Sequence, residues 1–108
     1  MNELFGLTEQ DRKKIVAVFH QFPEVEHVVI YGSRAKGNYR PSSDIDLTVM
    51  NTLNWQTFTA IEGALDDLLL PYQIDLSLYN QIDNPDLIEH IQRVGIAFYN
   101  KLSAADKV

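Results

Sequence analysis

Residues 28–49 read VVIYGSRAKGNYRPSSDIDLTV, and the pattern of this stretch decides the fold. Its beginning belongs to a short run over 25–31 that is rich in β-branched and aromatic residues, which predicts a strand. Gly32-Ser33 ends that strand and opens a short helical turn. Polar and apolar residues then alternate over 44–50, after a Pro-Ser-Ser turn, which predicts a second strand. The stretch therefore predicts two strands joined by a helical turn.

Helical and strand patterns continue on both sides of this stretch. Apolar residues at helical spacing predict one helix before it and two after it, and each of these helices begins at a capping side chain. Alternation over 73–79 predicts a third strand, and 96–99 predicts a short edge strand, with a continued helix as the alternative. The capping residues are Thr8, Asn54 and Asn84. The order of elements predicts an α/β fold with a small mixed or parallel sheet flanked by helices.

Length and composition narrow the class of protein. The chain has 108 residues, which fits a single domain spanning 1–108. It contains no cysteine, which excludes disulfides, thiolate metal sites and cysteine nucleophiles. No apolar run approaches the roughly 18–20 residues that span a bilayer, and the start of the chain lacks the pattern of a signal peptide. We therefore expect a cytoplasmic protein that does not contact a membrane.

The chain is acidic overall but contains one basic segment. There are 15 acidic and 9 basic residues, which give a formal net charge of −6. An acidic surface repels phosphate backbones, so we expect no direct contact with nucleic acid. Three cations nevertheless lie close to the single Gly-Ser pair, namely Arg34, Lys36 and Arg40. This arrangement predicts a small anionic ligand rather than a long polyanion.

Three carboxylates lie on polar faces of two predicted strands. Residues i and i+2 of a strand point the same way, roughly 6.5–7 Å apart, so Asp44 and Asp46 can converge on one cation. Asp75 occupies the polar face of the next strand, and it would join them if the two strands pair in the right register. Ligation by oxygen alone suits Mg²⁺. We therefore expect a magnesium site at Asp44, Asp46 and Asp75.

The Gly-Ser pair supplies the second half of the candidate site. Glycine allows a ligand to approach the backbone closely, and the helical turn that follows offers free N–H donors for a phosphate. Ser33 adds a hydroxyl, and Arg34 and Lys36 add charge. A Gly-Ser pair alone is usually a turn, but its combination with Asp-x-Asp at one fixed distance should arise by chance in about one chain per thousand. A phosphate cradle beside acidic metal ligands indicates phosphoryl or nucleotidyl transfer.

These residues also carry a family resemblance. Gly32-Ser33, ten intervening residues and Asp44-Ile45-Asp46 resemble the signature of the nucleotidyltransferase superfamily, which includes polymerase β-like enzymes, and Asp75 resembles its third carboxylate. By its size the chain resembles the minimal nucleotidyltransferase (MNT) domain, the antitoxin of HEPN/MNT toxin–antitoxin pairs. The likeness covers nearly the whole chain, including the ending over 91–99. It implies a polymerase β-like nucleotidyltransferase fold.

The resemblance also implies an activity, a partner and a role for each site residue. The implied reaction transfers AMP from ATP, with Mg²⁺, to a hydroxyl of a partner, which in MNT antitoxins is a tyrosine of the HEPN toxin, a ribonuclease that is thereby silenced. Gly32 and Ser33 would hold the triphosphate, with help from Arg34. Asp44 and Asp46 would hold Mg²⁺, and Asp75 would complete the metal site and help to deprotonate the acceptor.

Two other functions remain open at this point. One is an antitoxin that neutralises its partner by binding alone, and the other is a nucleotidyltransferase of small molecules such as aminoglycosides. The short chain leaves no room for an acceptor-binding domain, so either the pocket is shallow and promiscuous or a partner completes it, and we expect a partner. The three histidines, His20, His27 and His90, share no spacing, and we interpret them as structural or solvated.

Overall fold

The structure is a computed structural model, and it describes residues 4–101. The elements follow the predicted order, with one additional 3-10 turn at Tyr79–Gln81. The helices and strands are α1 (Glu9–Gln21), β1 (His27–Tyr31), α2 (Gly32–Lys36), β2 (Ile45–Val49), α3 (Trp55–Asp66), β3 (Ile74–Leu78), α4 (Pro85–Val94) and β4 (Ile96–Asn100).

The four strands form one mixed sheet in the order β3-β2-β1-β4. The central strand β1 is antiparallel to both β2 and β4, whereas β2 and β3 are parallel. This difference follows from the connections, since parallel neighbours require a long crossover and α3 supplies it between β2 and β3. The expected small mixed sheet flanked by helices is therefore confirmed.

The three predicted capping residues begin their helices. The side chain of Thr8 accepts a hydrogen bond from the Asp11 amide at 3.0 Å, and that of Asn54 accepts from the Thr57 amide at 2.7 Å. Asn84 caps α4 in the same way, with Pro85 at the first helical position. Each cap satisfies a backbone N–H that has no partner within its helix.

The alternation of residues gives the sheet two different faces. The face that we call the core face packs against α1 and α3 and contains most of the buried apolar residues. On the opposite face, which we call the site face, Val29 and Tyr31 of β1 pack with Ile91 of α4. On β2 and β3 the site-face positions are polar. They are Asp46, Thr48, Asp75 and Ser77.

The strand predicted over 25–31 begins two residues later, at His27. Val25 is buried, but its N–H donates to the Phe22 carbonyl at 3.0 Å in a turn, so it does not join the sheet. The side chain of Asn51 accepts hydrogen bonds from the amides of Glu26 and His27, which are the residues between this turn and the start of the strand. Sequence pattern shows the apolar run but not the turn within it.

The ending of the described chain is a strand rather than a continued helix. Residues of β4 pair with His27 through Ile30 of β1, with a register shift between Val28 and Val29. Gly95 permits this return, because a Cβ atom there would collide with the carbonyl oxygen of Ile91. Within residues 4–101, no helix is long and apolar enough to cross a membrane.

Candidate active site

Strand pairing brings the candidate carboxylates to one end of the sheet. Asp46 and Asp75 lie directly opposite each other in the parallel register of β2 and β3, and they share the site face. Tyr31 is the partner of Asp46 on the other side, in β1. Asp44 lies two residues before Asp46, just outside β2. From the sequence, Asp75 would join Asp44 and Asp46 only if the two strands paired in the right register. The structure has that register.

The surroundings of Asp46 disfavour the charged form of its carboxyl group. The carboxyl is half-buried, and its pKa is raised to about 6, first because burial disfavours the charged form and then because Asp75 and Asp44 repel it. Arg34 acts in the opposite direction but does not cancel these effects. Asp44 and Asp75 are both exposed. A cation or a proton at Asp46 would relieve the repulsion.

The donor set fits a hard cation that keeps other ligands. Among the His, Cys, Asp and Glu side chains of residues 4–101, no group of three is close enough to hold a metal ion by itself. Mg²⁺ in proteins is commonly held by one or two carboxylates, with waters and substrate phosphates completing its shell. Asp46 and Asp75, with Asp44 beside them, fit that partial role.

Gly32 brings the backbone turn into contact with the acidic cluster. Its φ is +76°, a conformation that other residues adopt at a cost, and a Cβ atom there would collide with Oδ2 of Asp46. Ser33 follows in α2 and is half-buried. The Gly-Ser turn and the Asp-x-Asp pair, which are separate in sequence, therefore form one continuous surface.

The structure gives the side chain of Arg34 a different environment from the predicted one. The guanidinium is only 2% exposed and donates to the carbonyls of Phe5 at 2.8 Å, Ser43 at 2.9 and 3.1 Å, and Pro41 at 3.2 Å. Its carbon lies 5.4 Å from the ring centre of Tyr39 and 4.9 Å from that of Tyr72. These contacts hold the loop before Asp44, and a contact with a nucleotide stays a prediction.

The other two cations of the loop have free access to solvent. Lys36 and Arg40 are both exposed, Lys36 at the end of α2 and Arg40 beyond it. The backbone amide of Arg40 donates to the Ser43 hydroxyl at 2.8 Å, which fixes the turn before Asp44. The exposed positive charge near the candidate site therefore comes from residues that the resemblance assigned no role.

Two further residues, which belong to no motif of the sequence, lie near the site. The Tyr31 side chain hydrogen-bonds that of Ser77, and the pKa of Tyr31 is raised by burial, with smaller effects from Asp46 and Asp75. Nε2 of His90, on α4, accepts a hydrogen bond from the Gly32 amide at 3.2 Å. His90 lies 58 positions after Gly32 in the sequence. No spacing in the sequence could indicate this contact.

Comparisons with known proteins agree with this geometry. The family model "Polymerase beta, Nucleotidyltransferase" matches residues 13–103. A comparison with curated proteins gives no match.

Several solved structures have a similar fold. A toxin–antitoxin complex with AMP-PNP has a TM-score of 0.64 at 19% identity, over 88% of this chain and 77% of that chain. An MNT antitoxin bound to the tri-AMPylated HEPN toxin of Shewanella oneidensis has a TM-score of 0.62 at 16% identity, over 93% and 78%. A toxin–antitoxin MntA-HepT structure has a TM-score of 0.54 at 18% identity, over 92% and 78%.

At these identities the similarity to solved structures shows the fold alone, whereas the family match covers most of the chain. That match includes the Gly-Ser turn and all three aspartates. The chain belongs to the polymerase beta nucleotidyltransferase family and is a nucleotidyltransferase domain whose structural neighbours are MNT proteins of toxin–antitoxin pairs.

Proposed function

We propose that this domain transfers AMP from ATP, with Mg²⁺, to a tyrosine hydroxyl of a HEPN-type toxin in the cytoplasm, and thereby acts as its antitoxin. One observation carries the proposal: the Gly32 turn touches the Asp46 carboxylate, and Asp75 lies opposite Asp46 on the same face. A nucleotidyl transfer needs a phosphate-binding surface and carboxylates at one place, and this contact supplies both.

The donor nucleotide would lie across the turn and the carboxylates. Gly32 and Ser33 would bind the triphosphate through the backbone and the hydroxyl, and Asp44, Asp46 and Asp75 would hold Mg²⁺. When bound, Mg²⁺ neutralises the charge that develops on the phosphates. A cation there would also favour the charged form of Asp46, against the burial and the repulsion by Asp75 and Asp44 that raise its pKa.

The reaction is a substitution at the α-phosphorus of ATP. The acceptor hydroxyl oxygen forms a bond to that phosphorus, the bond to the bridging oxygen breaks, and pyrophosphate leaves with its electron pair. The hydroxyl proton passes to the Asp75 carboxylate, which is exposed at the edge of the cluster and within reach of an incoming acceptor.

The acceptor would come from another protein. Asp44 and Asp75 are exposed at the end of the sheet beside the Gly32 turn, so a partner can approach them from solvent. Among the structural neighbours, an MNT antitoxin is bound to an AMPylated HEPN toxin, and a toxin–antitoxin complex contains AMP-PNP. The net charge of −6 favours a more basic partner.

The role of Arg34 in nucleotide binding is proposed only through its loop. Its guanidinium donates to the carbonyls of Pro41 and Ser43 in the loop and of Phe5 outside it, and it lies beside two tyrosine rings. Direct contact with a phosphate would require these bonds to break. Arg34 therefore assists the nucleotide site by holding the segment that presents Asp44.

Incubation of the domain with ATP labelled at the α-phosphate, Mg²⁺ and the HEPN protein encoded beside it tests the proposal. We expect label on the partner, located by mass spectrometry on a tyrosine, and loss of ribonuclease activity in proportion. The Asp46→Asn variant should transfer no label. Asp66→Asn, which removes an exposed carboxylate of α3, is the matched control and should be fully active.

Two results would replace the proposal with another function. If Asp46→Asn and wild type protect equally against the partner, neutralisation is by binding alone. If label goes to an added aminoglycoside and not to the protein, the acceptor is a small molecule.

A further inference from the structure

We propose that His90 is a positioning residue of the nucleotide site: it fixes the peptide that precedes the Gly-Ser turn. The inference rests on the proposed function, because the turn is taken to bind the triphosphate. His90 lies outside the Gly-Ser and Asp-x-Asp motifs and 15 positions after Asp75. The observation that carries it is the hydrogen bond from the Gly32 amide to Nε2 of His90, at 3.2 Å.

The ring of His90 is held in place by its surroundings. It is half-buried and meets the Tyr31 ring edge to face, with 6.1 Å between the ring centres and 79° between their planes. The next residue, Ile91, is 3% exposed and packs on the site face of β1. Because α4 is anchored by this packing, the acceptor nitrogen of His90 is presented at a defined position rather than by a mobile side chain.

The hydrogen bond restrains the backbone of Gly32, the residue of the turn with the most conformational freedom. Gly32 has a φ of +76°, and there is no space for a Cβ atom between it and Asp46. Glycine has more conformational freedom than any other residue, so a bond to its amide limits the orientations that the turn can adopt. His90 thereby sets both the distance of the backbone from the Asp46 carboxylate and the direction of the next amides.

The bond also decides which donors remain for a ligand. The Gly32 amide is the first N–H of α2 and has no partner within that helix. With Nε2 as acceptor, the hydrogen of the neutral imidazole lies on Nδ1. His90 therefore satisfies one amide of the turn through the protein and leaves the Ser33 amide and hydroxyl to face the triphosphate.

Two substitutions separate the acceptor from the ring. His90→Phe keeps an aromatic ring against Tyr31 but has no acceptor, whereas His90→Gln keeps an acceptor oxygen at similar reach and has no ring. We expect His90→Phe to raise KM for ATP about tenfold, the equivalent of one hydrogen bond, with kcat changed less than about twofold. His90→Gln should return KM to within about threefold of wild type.

A role in folding alone would give a different result. It would lower the fraction of folded protein, and hence the apparent kcat, without moving KM. His20→Phe, at an exposed position of α1, is the matched control and should leave both constants unchanged.

A second readout needs neither ATP nor Mg²⁺. The chain has five glycines, so ¹⁵N-glycine labelling gives few amide signals and Gly32 can be assigned. The Gly32 amide should shift and exchange faster with solvent in His90→Phe, and return toward the wild-type signal in His90→Gln.

The outcomes distinguish this inference from the proposed function. Wild-type protein that transfers no AMP refutes the proposed function. An active wild type with an unchanged KM in His90→Phe, or an unchanged Gly32 amide, overturns the role of His90 alone. A raised KM in His90→Gln with a wild-type KM in His90→Phe would also overturn it, since packing of the ring and not the acceptor would then be responsible.

Discussion

The two faces of the sheet use the same strands for different purposes. On the core face, successive β2 side chains are apolar, fully buried and sealed by α1 and α3. On the site face, the β2 residues between them are polar: Thr48 is fully buried, whereas Asp46, near the start of the strand, is half-buried. The core-face residues of β2 are Ile45, Leu47 and Val49, and the site-face residues are Asp46 and Thr48.

This difference shows that stability and chemistry are divided between neighbouring residues. Burial of Leu47 stabilises the fold, because apolar surface is removed from water. Asp46, one residue earlier, opposes folding at neutral pH, because its charge is half-buried and close to two other carboxylates. Mutations at adjacent positions should therefore have opposite consequences for stability and activity.

The largest effect is expected on the site face. Asp46→Asn should lower AMP transfer by about 10³-fold or more, because the variant loses a carboxylate that neither water nor Asp75 can replace. Its melting temperature at about pH 7.5 should equal or exceed that of wild type, because the repulsion disappears. Calorimetry and the labelling assay on the same preparation check both statements. A strongly destabilised variant would show that Asp46 supports the fold.

On the core face, Leu47→Ala should do the reverse. Removal of a fully buried leucine costs about 3 kcal/mol of unfolding free energy, measured by urea titration. The folded fraction should retain a KM for ATP within about threefold of wild type. Leu69→Ala, at a side chain that is 88% exposed, is the control and should change stability by less than about 0.5 kcal/mol. Loss of nucleotide binding in folded Leu47→Ala protein would contradict this prediction, because a core-face residue would then affect the site as well as stability.

Between these two faces in sequence, Arg34 holds the loop before Asp44, and Arg34→Lys tests how much this contact stabilises the fold. Lysine cannot reproduce the forked contacts with three carbonyls or the stacking on two rings, so we expect a cost of about 2 kcal/mol in unfolding free energy. Arg93→Lys, in an exposed ion pair with Glu89, should cost less than about 0.5 kcal/mol.

Binding measurements on the same variants decide between two roles for Arg34. If Arg34→Lys is as stable as wild type but no longer binds ATP, the guanidinium contacts the nucleotide directly, as the family resemblance implies.

The smallest effect concerns pH. The pKa of Asp46 in the folded protein is about 6, above its ordinary value of 3.8, so the folded state binds this proton more tightly than the unfolded state. The stabilising contribution of the protonated form is present below about pH 4 and is lost as the pH rises through about 6. The melting temperature of wild type should therefore fall relative to that of Asp46→Asn over this interval.

Mg²⁺ should reverse part of this loss at neutral pH in the wild type alone, because only the wild type keeps all three carboxylates. Parallel melting curves for the two proteins across the pH range would contradict the raised pKa. An equal shift with Mg²⁺ in both would place the cation elsewhere.

Much of the fold could be predicted because its signals are local. Alternation predicted β2 and β3, and capping residues predicted the starts of α1, α3 and α4. The predicted start of β1 was wrong by two residues. Val25 is apolar enough for a strand, but its N–H donates to the Phe22 carbonyl in a turn instead of joining the sheet. Apolar composition reports burial, and a single backbone hydrogen bond decides whether a buried residue belongs to the sheet.

The candidate site was predictable only in part. Gly32, Ser33 and the three aspartates carry a spacing that the sequence displays, and the structure brings the turn and the carboxylates together. His90 could not be found, because its contact depends on how α4 packs on β1. The enclosed position of Arg34 depends likewise on the loop and on Tyr39 and Tyr72, so its charge alone indicated a ligand contact rather than a structural one.

The sequence by itself determined the elements, the two faces of each strand and the chemical types at the site, since each depends on the properties of neighbouring residues in the chain. Tertiary structure alone decided that Asp46 lies opposite Asp75, that Arg34 is buried and that His90 binds the Gly32 amide. These contacts join residues far apart in sequence, and their geometry is set by strand register and helix packing. No local pattern contains that information.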